Sequence, residues 1–268
     1  MARVLSPAWV PSTPQRLAIT GRVVTALILR ETKTRFGRSK AGYLWAVIEP
    51  MVYVVFFVAI RDALSAAIPF GEDIILFMVG GLLTFRVFIA ISGGMMAAIS
   101  SNKALLAYPP VKPTDVILAR FILETITMLF VMAVFFLGLS LVTDKAIIPN
   151  HENFVAGVGV TVLLGGGVGT FNAVLAVLWP TWVNVFGLVR LPLFIMSGIF
   201  YVPNGMPLEA QAILWWNPVL HCVEWLRTGT YLTYDPMLSM PYVLGVAVTL
   251  LVTGLTLERV YRFQLLSN

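Results

Sequence analysis

The chain has 268 residues, of which 59% are hydrophobic and 12% charged, with a formal net charge of +5. Adding its 21 glycines makes about two thirds of it apolar, against roughly 45–50% apolar and ~25% charged in soluble domains. A mean hydropathy of +0.89 means that lipid must solvate most of the surface, which excludes a disordered chain, a coiled coil and a secreted disulfide scaffold. The single cysteine, Cys222, permits no intrachain disulfide and no cysteine-rich metal site.

The first 42 residues are a basic leader carrying Arg3, Arg16, Arg22, Arg30, Lys33, Arg35, Arg38 and Lys40. It is too long for the charged start of a signal peptide, and no small-residue cleavage site follows the apolar run after it. Within it, Arg16 to Arg30 places Ile19, Val23, Val24, Leu27 and Ile28 on one broad helical face, with Arg22 and Thr25 opposite. That segregation predicts an amphipathic interface helix lying on the inner leaflet.

Six stretches are apolar enough to cross ~30 Å of hydrocarbon, about 20 helical residues. They are Tyr43 to Ile60, Ile74 to Ser100, Thr125 to Thr143 (reaching back toward Thr114), two from the region after Asn153, and Pro236 to Leu257. Asn153 to Val189 carries no charge over 37 residues, too long for one span. It divides at Trp179-Pro180-Thr181-Trp182, since proline breaks a helix and tryptophan prefers the membrane interface. The fifth helix then runs through Arg190 to about Tyr201.

Charge placement orients the chain. Besides the leader, Lys103 and Lys112 lie in the second-to-third connection, and Arg259 and Arg262 in the tail. The remaining connections hold Arg61, Lys145 and Arg227 but most of the acids: Asp62, Glu72, Asp73, Asp144, Glu152, Glu209, Glu224 and Asp235. The positive-inside rule puts both termini in the cytoplasm. The basic balance is thus topology, and no soluble basic face remains for nucleic acid.

Ionisable side chains at membrane depth pair or face water. Glu49 lies about 9 Å in from the inner side, and Arg190 about 12 Å in from the same side, so these two could meet, the plain reading being a structural ion pair. Arg120 and Glu124, four apart on a helix, can satisfy each other. Arg86 lies about 18 Å from the outer end of its span, with no acid read at that depth. Either it snorkels or it faces a hydrated passage suited to an anionic cargo. The fourth span carries a ridge of small residues, Gly157, Thr161, Gly165, Gly169 and Ala173, which suits close helix packing within the subunit or between subunits.

Catalytic patterns are missing. No phosphate loop occurs, the nearest string being Gly37-Arg38-Ser39-Lys40. His221 and Glu224 have a spacing that can present two metal ligands, but no third is apparent. The segment 203–235, about 33 residues on the outer side, contains Trp215, Trp216, Trp225 and Tyr231. It is too apolar for a free loop and too broken to span. Short helices dipping back into the outer leaflet are expected there.

Three stretches resemble a known family. Arg30-Glu-Thr-Lys-Thr-Arg-Phe-Gly-Arg-Ser-Lys-Ala-Gly-Tyr-Leu-Trp-Ala-Val-Ile-Glu-Pro50 resembles the entry to the first span of type-2 ABC exporter permeases. Asn102-Lys-Ala-Leu-Leu-Ala-Tyr-Pro-Pro-Val-Lys-Pro-Thr-Asp115, with Ala119-Arg120 and Glu124, resembles the capsular polysaccharide branch, the KpsM-like permeases. Asn217-Pro-Val-Leu-His221, Glu224-Trp-Leu-Arg227 and Tyr234 resemble the outer loop of that branch. The resemblance covers residues from about 30 to 262.

The resemblance implies an all-α membrane protein with six transmembrane helices, an N-terminal amphipathic interface helix and re-entrant gate helices before the last span. Its parts are a cytoplasmic leader 1–42, a transmembrane domain 43–262 and a tail 263–268. It implies no enzyme in this chain and no cofactor bound by it. A homodimer works with two separate ATPase subunits, which bind the ATP and Mg. A coupling helix within 101–110, Ser101 to Tyr108 ended by Pro109-Pro110, docks on the ATPase through Lys103, Leu105, Leu106 and Tyr108. A lipid-linked acidic polysaccharide passes a canal at the dimer axis near Arg86, Arg190, Glu49 and Arg61. It leaves beneath an outer gate containing Trp215, Trp216, His221, Glu224 and Arg227. A periplasmic co-polymerase and an outer-membrane polysaccharide channel complete the apparatus in a Gram-negative inner membrane.

Alternatives of the same architecture export O-antigen, teichoic acid, another lipid-linked polymer or, less readily, a small molecule. A secondary transporter needs midplane carboxylate pairs or an internal repeat, and an intramembrane enzyme needs an acid/base or metal constellation; neither pattern stands out.

Overall fold

A computed structural model describes residues 13–36, 41–63, 68–108, 111–143 and 146–267. Arg3, Gly37 to Lys40, Pro109, Pro110, Asp144 and Lys145 lie outside the described residues, as do the side chains of Arg16, Arg35 and Asp62. The regular structure in the described residues is helical. The helices are α1 (Thr13–Phe36), α2 (Ala41–Ala63), α3 (Ile74–Met96), α4 (Ala98–Ser101), α5 (Lys103–Leu106) and α6 (Pro113–Thr143). After them come α7 (His151–Leu178), α8 (Trp182–Met196), α9 (Leu208–Leu214), α10 (Pro218–Thr230) and α11 (Met240–Ser267), with a 3-10 turn at Pro203–Gly205.

Helix starts follow local chemistry. Asp73 caps α3 by accepting from the Ile75 and Leu76 amides at 2.8 and 3.4 Å. Asn150 caps α7 through the Asn153 amide at 3.1 Å. Asn217 caps α10 through the Val219 amide at 3.0 Å, and Pro218 takes the first helical position. The Trp179-Pro180-Thr181 turn separates α7 from α8, and the Trp182 indole N–H donates to Asn172 at 2.9 Å.

Four helices, α3, α6, α7 and α11, are long and apolar enough to cross a membrane. α2 is a 23-residue helix interrupted in sequence by Pro50. α8 has 15 residues, about 22 Å of rise, short of the ~30 Å hydrocarbon thickness. Its expected course to Tyr201 stops at Met196 because Gly198 takes a left-handed φ of 68° and turns the chain back.

α7 is the packing centre, in contact with α3, α10 and α11. In lipid there is little hydrophobic gain in joining two apolar helices, so close dispersion contact must do the work. The small-residue ridge allows it. A Cβ placed on Gly157 would lie 2.7 Å from the Leu226 backbone on α10, and one on Gly165 would lie 3.1 Å from Ile91 on α3. On the α11 side, Gly254 brings its backbone equally close to Phe171. Of the two uses open from sequence, the ridge serves packing within the subunit.

The apolar face of α1 also turns inward. Val24 and Leu27 are buried, and Val23 and Ile28 pack against the core beside α6. The expectation that this face rests on lipid is therefore corrected for these four side chains: α6 offers them a protein surface first. Arg22 remains exposed.

Candidate functional site

Two polar assemblies and one cleft stand out against the apolar bundle. The cleft, of about 330 Å³, lies between α2, α3 and α8 and is lined by Pro50, Tyr53, Phe85, Arg86, Arg190 and Phe194, among others. An Arg86 Nη donates to the Glu49 carboxylate at 2.9 Å. Arg190 is exposed at the mouth and makes no ion pair among the described residues. Two expectations are corrected here. Glu49 pairs with Arg86, not Arg190, and Arg86 does have an acid at its depth. Referred to one face of a ~30 Å slab, 18 Å from outside is about 12 Å from inside, close to the level of Glu49. The two helices run in opposite directions, so equal depths carry different counts from their starts.

The cleft combines one neutralised and one open guanidinium with an aromatic ring, Tyr53. Pro50 and Pro192 interrupt the hydrogen-bond ladders of its two flanking helices. Arg61 does not join it. Twelve residues farther along α2, it donates to the Phe200 carbonyl at 3.2 Å and lines a separate apolar groove between α2, α6 and the start of α3.

The second assembly centres on α10. Glu224 and Arg227 are buried, at 0% and 1% exposure, and form an ion pair at 3.2 Å. The Glu224 carboxylate also accepts from the Tyr234 hydroxyl at 2.7 Å and the Met237 amide at 2.9 Å. Arg227 donates to the Ile199 and Tyr201 carbonyls at 3.2 and 3.4 Å, and its guanidinium stacks 3.8 Å above the Phe77 ring. His221 donates from Nε2 to the Trp215 carbonyl at 2.8 Å and accepts the Ser239 amide on Nδ1 at 3.1 Å. Burial lowers its pKa from the ordinary imidazole value, and this neutral tautomer satisfies both neighbours. With both nitrogens engaged by backbone, His221 has no lone pair to offer a metal. Trp215 packs on Tyr242, while Trp216 is 69% exposed. The segment from 203 to 235 is thus largely helical, and its centre is pinned to the bundle.

The third feature is the α4–α5 connection. The expected helix Ser101–Tyr108 is two short pieces that meet at Asn102. Lys103 and Tyr108 are exposed, and Leu105 is half-buried. Leu106 is buried, which corrects its expected exposure: the break at Asn102 rolls it onto the core. The reason for this geometry is a long-range contact that carries no local sequence signal. Asn102 is held by Arg30 and Glu31 of α1, and Glu31 in turn binds Arg120. Arg120 lies 3.1 Å from Glu124, the expected i,i+4 pair. Glu31 sits in a basic leader, where a single acid gave no signal.

Residues 22–231 match the pattern of the ABC-2 type transporters. The chain belongs to the ABC-2 type transporter family. It is similar to the polysialic acid transport protein KpsM of Escherichia coli, 30% identical over 246 residues, which cover 91% of this chain and 95% of that protein. It is also similar to the capsule polysaccharide export inner-membrane protein BexB of Haemophilus influenzae, 27% identical over 251 residues, covering 91% and 93% of the two chains. The corresponding protein CtrC of Neisseria meningitidis serogroup B is 28% identical over 231 residues, covering 82% and 85%. The KpsM-like resemblance read from three motifs therefore holds along nearly the whole permease, and the chain is a multi-pass membrane protein.

Proposed function

We propose that this chain is the transmembrane subunit of an ATP-driven exporter that moves a lipid-linked acidic capsular polysaccharide across a Gram-negative inner membrane. Two copies enclose a canal at their axis, and two separate ATPase subunits dock on the α4–α5 side through Lys103 and Tyr108. Six crossings, α2, α3, α6, α7, α8 and α11, leave both termini in the cytoplasm. α9 and α10 form the outer gate, with Trp216 at the lipid interface. Outside, a periplasmic co-polymerase and an outer-membrane channel receive the polymer.

The observation that carries this reading is the cleft with Arg86 and Arg190 on facing helices. A pair of guanidiniums on an otherwise apolar wall, one without a counter-ion among the described residues, suits a repeating anionic chain held by sequence-neutral contacts. Tyr53 adds a stacking face for sugar rings. The similarity to capsule and polysialic acid exporters supports the same substrate class.

The test is ATP-dependent export by the chain co-assembled with its ATPase in proteoliposomes. An acidic polymer and a neutral one are compared in wild type and Arg190→Gln. The expected result is a loss of about tenfold for the acidic polymer alone, about 1.4 kcal/mol of lost interaction. Equal losses for both polymers, or transport by the isolated chain without the ATPase, overturn the reading. Preferential transport of a neutral lipid-linked polymer reassigns the cargo to O-antigen-like chains.

A further inference from the structure

The charged cluster at the α1 end, with Glu31 and Glu124 buried, Arg120 half-buried and Arg30 exposed, serves neither the cleft nor the outer gate. Asn102, 2% exposed, lies between α4 and α5, in the connection assigned above to ATPase docking. Its Oδ1 accepts from Arg30 at 2.7 Å, and its Nδ2 donates to Glu31 at 2.8 Å and to the Ala98 carbonyl at 2.9 Å. The other oxygen of Glu31 accepts from Arg120 on α6 at 2.9 Å. Arg120 reaches back to Glu124, 1% exposed, whose carboxylate abuts Gly94 on α3. Four elements thus meet in a chain of polar contacts. Its formal charges cancel: Arg30 and Arg120 against Glu31 and Glu124.

This arrangement does not follow from the need to fold. Buried ion pairs hold a bundle no better than apolar side chains of the same volume, and often worse. What they supply is fixed register, because each partner accepts one geometry and penalises others. Apolar helix faces slide at little penalty, whereas a bidentate carboxylate between Asn102 and Arg120 does not.

We propose that Glu31 is a positioning residue for energy coupling: through Asn102 and Arg120 it locks α1, the α4–α5 connection and α6 into one rigid unit, so that movement imposed by the ATPase reaches α6 and, through Glu124 at Gly94, α3. The proposal rests on the export reading above and adds the route and its residues. Lys103 and Tyr108 meet the partner; Asn102, Glu31, Arg120 and Glu124 carry the displacement inward. Gly94 lies two turns, about 12 Å, along α3 from Arg86, so the route ends on the helix that carries Arg86 into the cleft.

The test uses the full complex of the chain with its ATPase in proteoliposomes. Copurification of the ATPase, ATP hydrolysis, polymer export and thermal stability are read for each variant. In Glu31→Gln and Asn102→Ala the ATPase copurifies and hydrolyses at no less than about half the wild-type rate, while polymer exported per ATP falls about tenfold or more. A third variant separates positioning from stability. Replacing Glu31 with Leu, Arg120 with Met and Glu124 with Leu together removes the cluster's buried and half-buried charges and leaves only the exposed Arg30. Its melting temperature returns to within about 5 °C of wild type, by the exchange of ion pairs for apolar volume, yet export per ATP stays low. Export that recovers with stability in this triple variant assigns the cluster to folding alone and overturns the proposal. Parallel loss of hydrolysis and export in the single variants also overturns it. A wild-type complex that exports while Glu31→Gln exports equally well refutes the route and leaves the export reading intact. A wild-type complex that fails to export with ATP refutes both.

Discussion

Arg227 offers a quantitative test of what fastens the α10 segment. Arg227→Met keeps most of the side-chain volume but removes the charge beside Glu224, the donors to Ile199 and Tyr201, and the cation over Phe77. Stripping one partner from a buried pair costs about 3–5 kcal/mol, because the other is left uncompensated. Losing a desolvated cation–π contact adds about 2 kcal/mol. Two of Glu224's donors, Tyr234 and the Met237 amide, survive and offset about 2 kcal/mol of that sum at roughly 1 kcal/mol each, so the net loss is about 3–5 kcal/mol. At roughly 2–4 °C per kcal/mol for a chain near this length, the melting temperature in detergent falls by about 6–20 °C. The double variant Glu224→Gln, Arg227→Met removes the orphaned carboxylate and recovers at least half of that loss. A single variant melting within about 2 °C of wild type, by intrinsic tryptophan fluorescence, would refute the reasoning. So would a double variant less stable than the single.

Gly157→Ala pushes a methyl to 2.7 Å from the Leu226 backbone, and overpacking of this kind costs about 1–3 kcal/mol; a melt unchanged from wild type contradicts the α7–α10 contact. His221 sets a pH dependence. Its folded pKa is depressed, so the unfolded chain binds the proton first as pH falls below ~6.5, and stability is lost from there toward the folded value at up to about 1.4 kcal/mol per pH unit. His221→Gln flattens that slope between pH 7 and 5, and equal slopes in the two proteins count against a buried neutral imidazole. Leu106→Asp buries a charge and lowers the melting temperature, whereas Tyr108→Ala on the exposed surface leaves it within about 2 °C and instead weakens ATPase copurification. Identical behaviour of these two variants would contradict their different burial.

Much of the helical layout was visible in sequence, because its signals are local. The Trp179-Pro180-Thr181-Trp182 break and the Arg120–Glu124 spacing need only near neighbours. The apolar 203–235 segment also declared itself, since so many tryptophans do not sit in free solvent. Long-range pairings were another matter. Glu49 and Arg86 are 37 positions apart, and their depths agree only when helices of opposite direction are referred to one face. Glu31 and Asn102 are 71 apart, and nothing in a basic leader marks one acid as a bridge. The burial of Leu106 was hidden for a related reason. Helical periodicity assumes an unbroken helix, and the break at Asn102 resets the phase. His221 and Glu224 shared a ligand-like spacing, but His221 is held by a backbone carbonyl and amide, which carry no residue signature, and Glu224 by Arg227, Tyr234 and the Met237 amide.

The cleft's three walls are not equally anchored. α3 is clasped along its length by α6 and α7, while α8 touches the rest of the subunit only sparsely and α2 leans chiefly on α3. A cleft built this way has one stationary jamb and two hung leaves. On the export reading, its width would be set where Pro50 and Pro192 interrupt the ladders of α2 and α8. Throughput would then be governed at the hinges, and substitutions that stiffen those two prolines' neighbourhoods would throttle flow without denting the melting curve.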